Sequence, residues 1–212
     1  MAMTYRAYGR LFALAAAIAL WAALAIQFQI ATAPYAAQGR WSIAAIAAFL
    51  SSYAVLTDVL AALSLSVAIV GSPRAPWPSL MTAIAIYLVI VFGLYRFGLT
   101  GDLEARGRAE LAQIALHCAA PAVFVSYWLL FVPKGHARWF APLLWLIYPI
   151  VLFGAALWQG RASANYPFSF LDVATLGYAD VARHCALLLA AFLLSGIVFR
   201  AIDRLFRPLA MA

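Results

Sequence analysis

Charge is scarce in this chain: Asp, Glu, Lys and Arg make up 10% of its 212 residues, against about 25% in an ordinary soluble domain. That shortage excludes a broad solvated surface. Hydrophobic residues supply 67%, and water would have to cover far more apolar area than a soluble fold exposes. Negative charge is rarest, with 7 Asp+Glu against 14 Lys+Arg. The basic excess does not describe a nucleic-acid surface, because the basic residues fall in short connectors between apolar runs, as membrane topology signals do. Cysteine is nearly absent. Cys118 and Cys185 both lie in apolar stretches and form no Cys-x-x-Cys pair, which leaves packing as their reading and excludes a zinc knuckle or redox dithiol. No metal-ligand cluster is visible, and no cofactor is called for.

Long apolar runs are what the chain does have. Six spans are predicted, at 8–30, 43–70, 80–97, 111–132, 140–158 and 182–199. Each reaches or approaches the roughly 20 residues that a hydrocarbon core of about 30 Å requires. Backbone amides in lipid must be satisfied internally, so these runs are expected to be helices of one transmembrane domain covering 1–212. The connectors carry breakers: Pro34 and Gly39, then Pro73, Pro76 and Pro78, then Pro133 and Gly135. Trp41, Trp77, Trp139 and Trp158 lie near span ends, where interfacial aromatics belong. At the N-terminus, Arg6 and Arg10 precede an apolar run, and Ala31-Thr32-Ala33 imitates a signal-peptidase site. The run is longer than a signal-peptide core and Pro34 follows the cut, so it reads as a first span.

Orientation rests on the basic residues. With the N-terminus inside, Arg6, Arg10, Arg74, Lys134, Arg138, Arg200, Arg204 and Arg207 are cytoplasmic. Arg40, Arg96, Arg106, Arg108, Arg161 and Arg183 lie opposite. The balance favours both termini in the cytoplasm by a thin margin.

Polar side chains inside the spans are expensive in lipid and so are candidate functional groups. The second span holds Ser51, Ser52, Thr57 and Asp58 near mid-membrane. Positions 51, 54, 57, 58 and 61 share one helical face, expected to look into the bundle. Hydroxyls that bind neighbouring helices, and an Asp58 that is merely a buried hydrogen-bonding group, are the bland alternatives. The fourth span carries His117, with Pro121 one turn later. Proline there removes a backbone bond to the carbonyl of residue 117, so a kink is expected beside the imidazole. Spans two and four start from the same face, and position 54 and His117 fall at compatible depths, about 16 and 9 Å below their predicted span starts. In the fifth connector, Tyr166-Pro167-Phe168-Ser169-Phe170-Leu171-Asp172 reads as a folded loop over the bundle, or as a simple interfacial loop.

Taken together, these residues resemble a bacterial six-helix membrane family. Leu116-His117-Cys118-Ala119-Ala120-Pro121, continuing through Trp128 to Pro133-Lys134-Gly135, looks like that family's histidine segment. Tyr148-Pro149, Gly160, Tyr166-Pro167, Phe170-Leu171-Asp172 and Gly177-Tyr178 follow its later pattern, so the likeness covers the second to sixth spans. The family is similar to the androgen-induced and androgen-dependent membrane hydrolases. The resemblance implies a threonine hydrolase that cleaves fatty-acid esters of hydroxy fatty acids, with a Thr on the second span as nucleophile and the His of the fourth assisting.

His117 takes the histidine role. The family's nucleophile segment, approximately Phe-Phe-Ser-Tyr-Phe-Thr-(Ile/Val)-Leu-(Thr/Ser)-Asn, aligns with Phe49 to Asp58 and places the nucleophile on Ala54. A methyl group cannot attack an ester. Three explanations stand: a nucleophile removed by substitution, which the otherwise intact constellation favours; a natural non-hydrolase; or attack reassigned to Thr57. Chemically, a hydroxyl nucleophile needs a base such as neutral imidazole. It also needs an oxyanion donor, for which Ser51, Ser52, Tyr53 or a freed helix amide qualifies. Asp58 would orient the imidazole or a water, Pro121, Tyr166 and Asp172 would support the site, and the lipid ester would arrive from the bilayer. Two other readings are weighed. His117 and His184 would hold a b-type haem, or Asp58 would couple protons in a transporter or lipid-binding protein. The membrane implied is the bacterial plasma membrane.

Overall fold

The computed structural model describes residues 2–39, 43–50, 52–70, 77–97, 107–163, 166 and 168–207. Arg40, Trp41, Ser51, Pro73, Arg74, Pro76, Arg106 and Pro167 lie outside the described residues. The described residues are all-α, and six helices are long and apolar enough to cross a membrane. Many large apolar side chains within them are exposed, among them Ile18, Leu130, Val151 and Leu194. Lipid is the solvent that accepts such a surface, and the chain is a multi-pass integral membrane protein.

The helices are α1 (Ala2–Ala37), α2 (Ile43–Leu50), α3 (Tyr53–Val70), α4 (Trp77–Arg96), α5 (Arg108–Ile114), α6 (Ala120–Phe131), α7 (Ala141–Trp145), α8 (Ile147–Ser163) and α9 (Val173–Leu205). A π-helical turn, Ala115–Ala119, joins α5 to α6, and a 3₁₀ turn, Ser169–Leu171, precedes α9. Contacts divide the chain into two compact units. Unit 1 is Met1–Arg74 with Glu104–Val132, and unit 2 is Ala75–Leu103 with Pro133–Ala212.

Helix α1 is the centre of unit 1, packing on α2, α3, α5, the π-turn and α6. Its buried residues are mostly small, Gly9, Ala13, Ala16, Ala17 and Ala23, with Leu20, Leu24 and Thr32 beside them. Small residues let helix backbones approach closely, which is the main source of attraction when lipid is as apolar as leucine. At Gly9 an added Cβ would stand 3.0 Å from the Phe131 ring. Tyr5 and Phe12 join that ring, at centroid distances of 5.4 and 5.6 Å. The helix also runs further than its apolar middle predicts. Pro34 lies inside it, and the helix ends at Ala37, before a turn at Gly39, whose φ of 65° suits a residue without a Cβ.

The second predicted span is not one helix. It breaks between α2 and α3, where Ser52 acts as the N-terminal cap: its Oγ accepts from Val55 N–H at 3.5 Å. The depth reckoned along an unbroken 43–70 helix therefore does not hold for Ala54, which sits in the first turn of α3.

In unit 2, α9 packs on α4, α7, α8 and the 3₁₀ turn. It starts well before the predicted span and kinks at Gly177, which has φ 77° and ψ 163°. The fifth span is interrupted between α7 and α8. Pro149 has no N–H to give to the carbonyl of Trp145, and the Tyr87 hydroxyl on α4 donates to that carbonyl instead, at 2.8 Å. The Tyr87 ring stacks on Tyr148 at 4.7 Å. Tyr87→Phe keeps the stacking and orphans the carbonyl, so it is expected to cost about 1–2 kcal/mol in detergent unfolding. An unchanged midpoint would show that the bond adds nothing.

Candidate functional site

The polar face predicted on the second span is enclosed in unit 1. Tyr53, Ala54, Thr57, Asp58 and Ala61 are all buried, Thr57, Asp58 and Ala61 completely. Ser52 is half-buried as the cap of α3, and Ser51 falls outside the described residues. The Thr57 hydroxyl donates to the Tyr53 carbonyl at 2.8 Å, a bond within its own helix. Ser66, further along α3, both donates to Ala62 O at 2.8 Å and accepts from Trp21 Nε1 at 3.2 Å. Ser66 thereby joins two helices, as polar membrane residues are expected to do.

His117 occupies the middle of the π-turn, which packs against both α1 and α3. The expected kink takes the form of an inserted residue. Pro121 cannot bond back to residue 117, and just before it Ala120 N–H reaches five residues back to Ala115 O. The ring is 5% exposed, and its Nδ1 stands 3.0 Å from the Gln113 carbonyl. A carbonyl only accepts, so Nδ1 carries the proton and Nε2 of the neutral ring is the basic nitrogen. Unit 1 thus brings the Ala54–Asp58 face and an oriented imidazole onto packed elements.

The remaining candidates are in unit 2. Tyr166 is half-buried, and its ring occupies the space a Cβ on Gly160 would need, so glycine there lets the ring lie on α8. Asp172 is the N-terminal cap of α9: Oδ1 accepts from Ala174 and Thr175 N–H at 2.9 and 3.3 Å. Before it, Phe170 and Leu171 are buried. His184 holds the same turn through Nδ1, 3.2 Å from the Phe170 carbonyl. The Phe-Leu-Asp element is therefore a built helix start. Asp172→Ala is expected to cost about 1 kcal/mol of stability, and a cost near zero would deny the cap that role. His117 and His184, weighed above as a haem pair, lie in different units.

Reading the sequence missed the buried pair in unit 2. Lys134 reads in the sequence only as a cytoplasmic connector charge and Asp203 carries no reading, yet they are 6% and 2% exposed. Asp203 Oδ2 accepts from Ala137 N–H at 3.1 Å. Burial pushes Lys134 down to about 8, with the Asp203 charge opposing the fall. Beside it Gly135, at φ 85°, leaves the space that the Arg207 side chain fills. The sequence signal was Asp203 itself, an acid at the edge of an apolar run. Among the described residues, no group of three or more His, Cys, Asp or Glu could hold a metal. Compared with family models, curated proteins and solved structures, the chain finds no match.

Proposed function

We propose that this chain carries the site of an intramembrane lipid ester hydrolase, of the threonine type acting on fatty-acid esters of hydroxy fatty acids. Ala54 stands at the nucleophile position, so the chain as written holds the ester without cleaving it. The observation that supports this reading is the packing of α3 against the π-turn. That contact puts position 54 and a Nδ1-protonated His117 on adjoining elements of one unit. With a hydroxyl at position 54, attack on the ester carbonyl would form the new C–O bond as His117 Nε2 takes the hydroxyl proton. The imidazolium would return it to the departing alkoxide, leaving an acylated side chain. Water, activated by the same nitrogen, would then release the fatty acid and restore the hydroxyl. The ester would reach the site from the lipid, in a bacterial plasma membrane.

The test is fatty-acid release in proteoliposomes, comparing the chain as written with Ala54→Thr. Turnover confined to the variant is the expected result. Folded protein that stays inactive after the substitution would remove the hydrolase reading.

A further inference from the structure

In unit 2 the connector that enters α7 lies along the end of α9, and three contacts set its register. Gly135 faces the Arg207 side chain. Ala137 N–H donates to Asp203 Oδ2 at 3.1 Å. Arg200 Nε donates to the Arg138 carbonyl at 3.2 Å. As numbers rise along the connector those on α9 fall, so the two segments run antiparallel. Their lengths agree. Three residues of extended chain, 135 to 138, cover about 10 Å, and seven residues of helix, 200 to 207, rise by about the same. The connector is a strap laid on one stripe of α9, because positions 200, 203, 204 and 207 share a helical face.

This seam gathers positive charge. Lys134, Arg138, Arg200, Arg204 and Arg207 meet one acid, Asp203. From Leu111 to Leu171 the chain has no acidic residue, and after Asp180 it has only Asp203. That carboxylate is buried, as is Lys134, on which its charge acts. Four arginines stand without an acid of their own, Arg138, Arg204 and Arg207 exposed and Arg200 half-buried.

The seam also lies where two spans end. α9 finishes here and α7 begins here, and both belong to helices able to cross a membrane. Trp139 and Leu205, 72% and 73% exposed, stand next in sequence to Arg138 and Arg204. The Arg138 guanidinium lies 5.7 Å from the centroid of the Phe140 ring. Exposed tryptophan beside arginine suits the depth of lipid headgroups. The anion found at that depth is a phosphodiester, which the guanidinium fork binds through paired N–H donors. Choline cancels the charge of its own phosphate, whereas glycerol leaves it, so an unbalanced arginine cluster favours the second. We propose that Arg138, Arg200, Arg204 and Arg207 bind the headgroup of an anionic phospholipid of the phosphatidylglycerol class. Bound there, the headgroup bridges strap and helix and stabilises the folded state. The surface is separate from ester chemistry and does not depend on the hydrolase reading.

The test is thermal unfolding of the full chain in an uncharged detergent, titrated with dioctanoyl phosphatidylglycerol or dioctanoyl phosphatidylcholine. The midpoint should rise with the anionic lipid at a half-saturating concentration about tenfold below that of the zwitterionic one. An arginine near the surface contributes about fivefold in affinity, so Arg138→Gln with Arg204→Gln should raise half-saturation about twentyfold. Both side chains are exposed, and the backbone carbonyl that Arg200 bonds is kept. Arg161→Gln with Arg183→Gln removes as much charge from elsewhere on α8 and α9 and should change half-saturation by less than about twofold. Equal half-saturation for the two lipids would overturn the proposal, as would an equal loss in that control or none in the first variant. Glycerol 3-phosphate, the headgroup without its chains, should give no shift at matched ionic strength. A shift equal to the lipid's would assign the surface to a soluble anion and overturn the proposal. If the double variant does not fold, Arg204→Gln alone decides, with a loss of about fivefold expected and an unchanged half-saturation contradicting the proposal.

Discussion

In protein carrying Ala54→Thr, the further change His117→Ala is expected to lower ester hydrolysis by about 10²–10⁴-fold, the usual contribution of a positioned general base. The size of the effect follows from how the ring is held. The Gln113 carbonyl fixes the proton on Nδ1 at 3.0 Å, and the π-turn that carries the ring packs on α1 and α3. An alanine removes the base but leaves the helix bonds intact, so far-ultraviolet circular dichroism should not change. Thr57→Val in the same background separates the two candidate nucleophiles. The Thr57 hydroxyl already donates to Tyr53 O, so most activity should survive its loss if position 54 carries the attack. Initial rates of fatty-acid release check both variants. A rate indifferent to His117 would end the acid–base account, and a rate lost with Thr57 would move the nucleophile there.

The second large effect concerns the buried pair in unit 2. Asp203→Leu leaves Lys134 buried without its counter-charge and takes the acceptor from Ala137 N–H. Removing one partner of a buried pair is expected to cost about 3 kcal/mol, whereas replacing both with apolar groups is far milder. Lys134→Met with Asp203→Leu should therefore recover most of the loss. The pH dependence of the intact protein carries the same signature. Burial holds Lys134 at about 8 against an unfolded value of 10.5. The unfolded chain therefore binds the extra proton between those values. Stability contributed by this group must rise with pH across that window and stay flat below it. Lys134→Met should lack the rise. Unfolding midpoints from pH 7 to pH 10.5 check the sign, and a fall confined to wild-type protein would contradict it.

The apolar middles of the spans were legible because hydrocarbon thickness and hydropathy speak directly to them. Their ends were not. α1 begins near Ala2 and passes Pro34, and α9 begins at Val173 instead of residue 182. Helix continues where backbone bonding and caps such as Asp172 support it, whatever the hydropathy of the turn. The break at Ser52 was written in the sequence as a capping residue but was hidden by the apolar residues on both sides. Pro121 announced a disturbance beside His117, while the form it took, a π-turn, depends on how α5 and α6 pack on α1. Pro149 has no N–H for the Trp145 carbonyl, a consequence not drawn from the Tyr148-Pro149 element itself. That Tyr87 satisfies it is a tertiary fact, invisible until α4 is placed. Lys134 reads as a connector charge and Asp203 draws no reading, because their burial comes from elements far apart in sequence.

The most direct test of the central claim is to find which residue acts as the nucleophile. Ala54→Thr protein in liposomes would be exposed briefly to a lipid-like fluorophosphonate ester, digested and mapped by peptide mass spectrometry, with His117→Ala and the chain as written alongside. The account predicts a label on the residue at position 54, sharply reduced without His117 and absent from the chain as written. A label on Thr57, or none on folded protein, would contradict it.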